Sequence, residues 1–141
     1  MADKFTNKTI KFELVSPERI LISEEVAMVV VPGAAGEFGV LADHAPLLSA
    51  IRHGVVAVHL PSGEVRKIFV TGGFADVNGK LCSVLAEEAV NVKDLNRAEI
   101  EESLKKLNDD LASANEDAVK IAHLQRQIEI IQAKISAFGA F

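Results

Sequence analysis

The sequence predicts an N-terminal antiparallel β-sandwich followed by a C-terminal antiparallel two-helix hairpin. Three observations lead there. All four prolines and eight of the nine glycines precede residue 80, so turns crowd the first part and uninterrupted helices are favoured only in the last. Short stretches alternating polar and apolar residues, each bounded by turn residues, fill that first part. Beyond residue 95 the apolar residues recur at intervals of three and four, the period of a helix with one buried stripe.

The elements follow in order. Thr9–Leu14 alternates strictly, as a half-buried strand does. Ser16-Pro17-Glu18 turns the chain into Ile20–Ile22, and the valine-rich run Val26–Val31 is stopped by Pro32-Gly33. Val55–Leu60 and Val65–Val70 flank Pro61-Ser62-Gly63-Glu64, and Phe74–Val77 and Leu81–Leu85 flank Asn78-Gly79-Lys80; both patterns signal hairpins. Pro32–Gly39 reads as a bulged loop between strands, and Thr71-Gly72-Gly73 as a strand junction. Asn96 and Glu99 have capping-box spacing at a helix start. Ile100, Leu104, Leu107 and Leu111 form one stripe. Ser113-Ala114-Asn115 interrupts it, Glu116 and Asp117 suit a new first turn, and Ile121, Leu124, Ile128, Ile131, Ile135 and Phe138 form the second. The spacing predicts a sandwich over 1–90 and a hairpin over 91–141, with helices at about 96–113 and 116–138. Leu104 and Leu107 are expected to face Ile128 and Ile131 across the seam.

Composition bounds the function. The chain has 141 residues, 49% hydrophobic, 25% charged and of net charge −5, which suits one domain with an appendage and a real core. Residues 1–90 carry 8 basic and 11 acidic side chains and residues 91–141 carry 7 and 9, so charge does not mark the boundary. The acidic balance, with no Trp or Tyr, argues against nucleic-acid binding. One cysteine, Cys82, excludes an internal disulfide and suits a reducing compartment. The polar start through Lys8 lacks the apolar stretch of a secretory signal, and charges break every run before the ~18 apolar residues of a membrane span.

Catalytic patterns are missing. The segment Pro32–Gly39 lacks the Lys-Ser/Thr ending of a phosphate loop and is not a dinucleotide fingerprint. His44, His53, His59 and His123 have no metal-pair spacing. Asp43-His44 has no nucleophile elbow to serve. Cys82, among apolar residues in an expected strand, reads as an inert core thiol. A non-enzymatic interaction protein is expected.

Several segments, taken in order, carry a resemblance. Phe12-Glu13-Leu14-Val15-Ser16-Pro17-Glu18 is followed by Gly36-Glu37-Phe38-Gly39-Val40-Leu41 and His44-Ala45-Pro46-Leu47-Leu48. Gly72-Gly73-Phe74-Ala75-Asp76-Val77 and Leu85-Ala86-Glu87-Glu88-Ala89 come later, ahead of the helical tail. Together they resemble the epsilon subunit family of F-type rotary ATP synthases, with a proteobacterial flavour in Ser16–Arg19 and Gly72–Asp76. The resemblance implies a non-catalytic central-stalk subunit with no required cofactor, peripheral on the cytoplasmic face of the bacterial inner membrane. The implied partners are the gamma subunit, the c-subunit ring and, with the hairpin extended, the alpha and beta subunits of the catalytic head. The resemblance further implies, as in many members of the family, a hairpin that inhibits ATP hydrolysis in that extended state. The family pattern also implies c-ring contacts for Glu37 and His44. Some members bind ATP through Ile/Leu-Asp-x-x-Arg-Ala. Asp94-Leu95-Asn96-Arg97-Ala98 matches its second half, with Lys93 in place of the apolar residue and Glu88 and Arg126 as further candidates. The alternatives are an ATP-sensing hairpin on the same stalk, with Asp94 and Arg97 otherwise serving only the helix start, and an unrelated β-sandwich interaction module.

Overall fold

The computed structural model describes residues 8–138; the polar start before Lys8 and Gly139 lie outside the described residues. Ten strands come first: β1 (Ile10–Val15), β2 (Ile20–Val26), β3 (Met28–Gly33), β4 (Gly36–Val40), β5 (Leu47–Ile51), β6 (Gly54–His59), β7 (Val65–Val70), β8 (Gly73–Val77), β9 (Leu81–Ala86) and β10 (Ala89–Asn91). A 3₁₀ turn at Val92–Asp94 leads to helices α1 (Arg97–Ala112) and α2 (Ala118–Phe138). The chain divides into two compact units between Asn91 and Val92.

In the first unit the strands form one continuous sheet in the order β10-β7-β6-β3-β5-β8-β9-β1-β2, with β4 added to β3. At the β3–β5 junction only Gly33 and Ile51 pair, and there the sheet folds over into the two layers of a sandwich. The other side is drawn together where β2 runs into β3: the Ala27 amide donates to the His59 carbonyl at 2.8 Å, and Arg66 of β7 pairs with Glu24 of β2 at 2.8 Å. Every pairing is antiparallel except β1 with β9, which is parallel. Successive strand residues face opposite sides, so Ile10, Phe12 and Leu14 enter the core with Val29, Val31, Val56, Val58, Ile68, Val70, Cys82 and Val84. The one buried polar side chain among the described residues, Thr71, accepts the Glu88 amide at 3.0 Å, which offsets its desolvation.

The structure departs from the expected elements in three places. Pro32–Gly39 is not a loop but the β3–β4 hairpin, with Pro32 opposite Glu37 and Gly33 opposite Gly36; the free edge of β3 recruits a glycine-rich segment that has little strand propensity of its own. Leu47–Ile51 becomes β5 through its register with β8. Ala89–Asn91 is drawn onto β7 as β10. The Thr71–Gly73 junction is as expected, with β7 ending at Val70 and β8 starting at Gly73.

In the second unit α1 and α2 pack against each other. Asn96 caps α1, its side chain accepting the Glu99 amide at 3.2 Å. Ser113 closes the helix, with its amide donating to the Asp109 carbonyl, and Asn115 adopts a left-handed φ of 55°, which an Asn tolerates well. Asp117 is the cap of α2 rather than part of its first turn, because its carboxylate accepts the Lys120 amide at 3.1 Å. Ile100, Leu124, Ile128 and Ala137 are buried, while Leu104, Leu107 and Ile131 are half-buried.

Two glycines with positive φ predict contrasting costs. Gly36 has φ +136° with open space around a would-be Cβ, whereas Gly73 has φ +129° and its Cβ would lie 1.8 Å from the Leu85 carbonyl oxygen. Gly36→Ala incurs backbone strain alone, about 1–3 kcal/mol, while Gly73→Ala must also part β8 from β9 and exceeds that range. Urea unfolding of the two variants checks the order. Burial pushes the Cys82 thiol up to about 12 from 9.0. Ellman's reagent is expected to leave it unmodified in the folded protein at pH 8 and to react after denaturation. An unfolded thiol ionises earlier than the folded one, so stability falls as pH rises from about 9 towards 12, and unfolding curves across that window measure the loss.

Candidate functional site

The candidate contact residues sit on consecutive segments of the first unit. Glu37 is exposed on β4, facing away from the core by the alternation that buries Val40. Its hairpin is tied to β5 at the turn end, where the Ala34 amide donates to the Ala50 carbonyl and the Arg52 amide to the Pro32 carbonyl, both at 2.9 Å. The loop that follows β4 carries His44, half-buried, whose amide donates to the Leu41 carbonyl at 3.2 Å. Its ring Nδ1 lies 2.7 Å from the Ala45 carbonyl oxygen. A carbonyl only accepts, so Nδ1 carries the proton in this bond and Nε2 is the nitrogen left for an outside partner.

A second surface was not anticipated from the sequence. The register aligns Ala50 with Phe74, Phe74 with Leu85, Leu85 with Val15, and Val15 with Ile20. These side chains share the outer face of the β5-β8-β9-β1-β2 layer. Ile20 is 60% exposed, Phe74 54% and Leu85 48%, and Leu48 on the same face reaches 70%. An exposed apolar row of this length is of the kind that marks an interaction surface. The signal was present in Val84-Leu85: adjacent apolar residues in a strand point to opposite faces, so one of them must leave the core.

The residues considered for ATP are divided between the two units. Glu88 is exposed in the β9–β10 turn of the first, and the other three belong to the second. Asp94 ends the 3₁₀ turn, and Arg126 is exposed on α2. Arg97 is already engaged: its Nε donates to Glu101 at 3.1 Å, and its guanidinium stands 5.9 Å from the centre of the Phe138 ring, within cation–π range. Among the described residues no group of three or more His, Cys, Asp or Glu side chains is arranged to hold a metal ion, and no helix is long and apolar enough to cross a membrane.

Comparison with known proteins bears on this two-unit arrangement. Residues 9–92 match the family profile described as "ATP synthase, Delta/Epsilon chain, beta-sandwich domain". An ATP synthase epsilon chain of Rhodospirillum centenum is 44% identical over 145 aligned positions, which span 99% of this chain and 95% of that one. The epsilon chain of Mesorhizobium japonicum is 47% identical over 113, spanning 80% and 84%. Among solved structures, a chain of the Euglena gracilis mitochondrial ATP synthase, in its OSCP/F1/c-ring assembly, has the same fold with a TM-score of 0.83 at 22% identity, covering 93% of this chain and 82% of that one. Strand order, helical tail and sequence therefore agree over nearly the full length, and the chain belongs to the delta/epsilon family of ATP synthase subunits.

Proposed function

We propose that this chain is the non-catalytic epsilon subunit of a bacterial ATP synthase, a central-stalk component that couples rotation of the c ring to the catalytic head. The observation that carries the reading is the near-complete alignment with proteobacterial epsilon chains. The physical surfaces agree with it. A stalk subunit needs a rigid body, and a sandwich core of close-packed Val, Ile and Phe resists deformation under load. It needs a broad apolar surface for a permanent neighbour, and the row through Leu48, Phe74, Leu85 and Ile20 suits the gamma subunit. It also needs a polar edge for the c ring. There Glu37 meets a basic group on a ring loop, and His44 offers Nε2 as the nitrogen that hydrogen-bonds the ring, donating or accepting with its protonation. The subunit itself is peripheral on the cytoplasmic face of the membrane.

The hairpin is the regulatory part of this proposal. It lies down in the permissive state and extends along gamma towards the alpha and beta subunits in the inhibitory one. Such a change exchanges one set of apolar contacts for another of similar size, so small differences in burial decide the balance.

Two experiments test these roles. Glu37→Ala combined with His44→Ala is expected to change stability by no more than ~0.5 kcal/mol, while lowering ATP-driven proton pumping per ATP hydrolysed in reconstituted vesicles. Normal pumping by the folded variant would remove these residues from the contact. Ending the chain after Asn91 is expected to leave a cooperatively unfolding sandwich that still joins the complex, with ATP hydrolysis by the assembled enzyme raised severalfold if the hairpin is the inhibitor. Unchanged hydrolysis across nucleotide conditions would take inhibition away from it.

A further inference from the structure

The loop that carries His44 is held by a turn far from it in sequence. Asp43, one residue before His44, has a left-handed φ of 65°, and its amide donates to the Gly79 carbonyl at 2.9 Å. Gly79 is the centre of the β8–β9 turn, and that turn is organised by the Asn78 side chain. Its Oδ1 accepts the Lys80 and Leu81 amides, both at 2.9 Å, while the Asn78 amide donates to the Leu81 carbonyl at 2.9 Å. The Lys80 carbonyl in turn accepts the Lys11 amide of β1 at 3.1 Å, so the turn is fastened to the core strands on its other side. The packing is close: a Cβ on Gly79 would lie 3.6 Å from the Asp43 Cα.

We infer that Asn78 is a positioning residue for His44, acting through the Gly79 carbonyl and the Asp43 amide to fix the loop from which the imidazole is presented. The functional consequence rests on the reading of His44 as a c-ring contact; the positioning itself does not. A side chain that accepts two amides keeps the turn in one conformation, and only in that conformation does the Gly79 carbonyl point at Asp43. The Lys8–Asp43 ion pair, 3.1 Å long between side chains 68% and 72% exposed, is too solvated to hold the loop in its place.

Amide hydrogen exchange on the full-length chain tests the inference. In Asn78→Ala the Asp43 amide is expected to exchange at least about tenfold faster, with core amides of β3 and β6 unchanged. Asn78→Asp keeps the acceptor and restores slow exchange, and Lys8→Ala leaves the Asp43 amide as it was. An unchanged Asp43 amide in Asn78→Ala, or equal acceleration of every amide, overturns the proposal. In the reconstituted enzyme, Asn78→Ala lowers proton pumping per ATP in the same direction as His44→Ala, and the two together do no more than His44→Ala alone. If His44→Ala impairs pumping while Asn78→Ala loosens the loop without effect, the positioning role is overturned. If His44→Ala is itself silent, the c-ring reading has failed, and the exchange data alone decide whether Asn78 sets the loop.

Discussion

The parallel pairing of β1 with β9 is the constraint on which the first unit depends. It places the first described strand between the last strand of a long antiparallel run and the edge strand β2, so that β1 is paired on both sides. Phe12 then sits level with Cys82 and Leu14 level with Val84, all four buried. Contacts that join opposite ends of a domain are costly in chain entropy and form only when burial offsets that cost. Here five residue pairs and two of the larger core side chains supply the offset. The unit is therefore stapled end to end by apolar packing.

The same pairing creates the exposed face. Once β1 is seated with Leu14 inward, Val15 points out, and the register carries that direction to Leu85, Phe74 and Ile20. A row of apolar side chains in water is unfavourable for an isolated chain and favourable for one that is permanently covered. The polar edge is made differently, by a hairpin and a loop whose backbone hydrogen bonds end on β5 and on the β8–β9 turn. Apolar area suits lasting attachment. Polar groups on a braced loop suit orientation and register against a neighbour.

The helical unit is stabilised by less. Among its described residues the large apolar side chains that are buried are Val92, Ile100, Leu124 and Ile128, and the rest of both stripes is only half-covered. Caps at Asn96, Ser113 and Asp117 define its ends, and the stack of Arg97 on Phe138 joins the start of α1 to the end of α2. A seam this thin gives a unit of modest stability. That property is compatible with an element whose resting contacts are exchanged rather than permanent.

Local chemistry alone was enough for the two-part architecture, both helices, the capping role of Asn96, the long hairpins and the burial of Cys82. Each rests on a period or a turn spanning a few residues, and such signals survive in the order of the amino acids. The β3–β4 hairpin, β5 and β10 were not legible, because Gly36–Val40, Leu47–Ile51 and Ala89–Asn91 have weak strand propensity and become strands only when a neighbour offers its edge. Glu37 and His44 were visible as motif residues, but the β4 face, the Nδ1 proton of His44 and the brace from Asn78 were not. The apolar row from Leu48 to Ile20 was hidden for the same reason. Which face a strand residue occupies follows from pairing between distant segments, and that pairing is decided only when the whole sheet closes around its core.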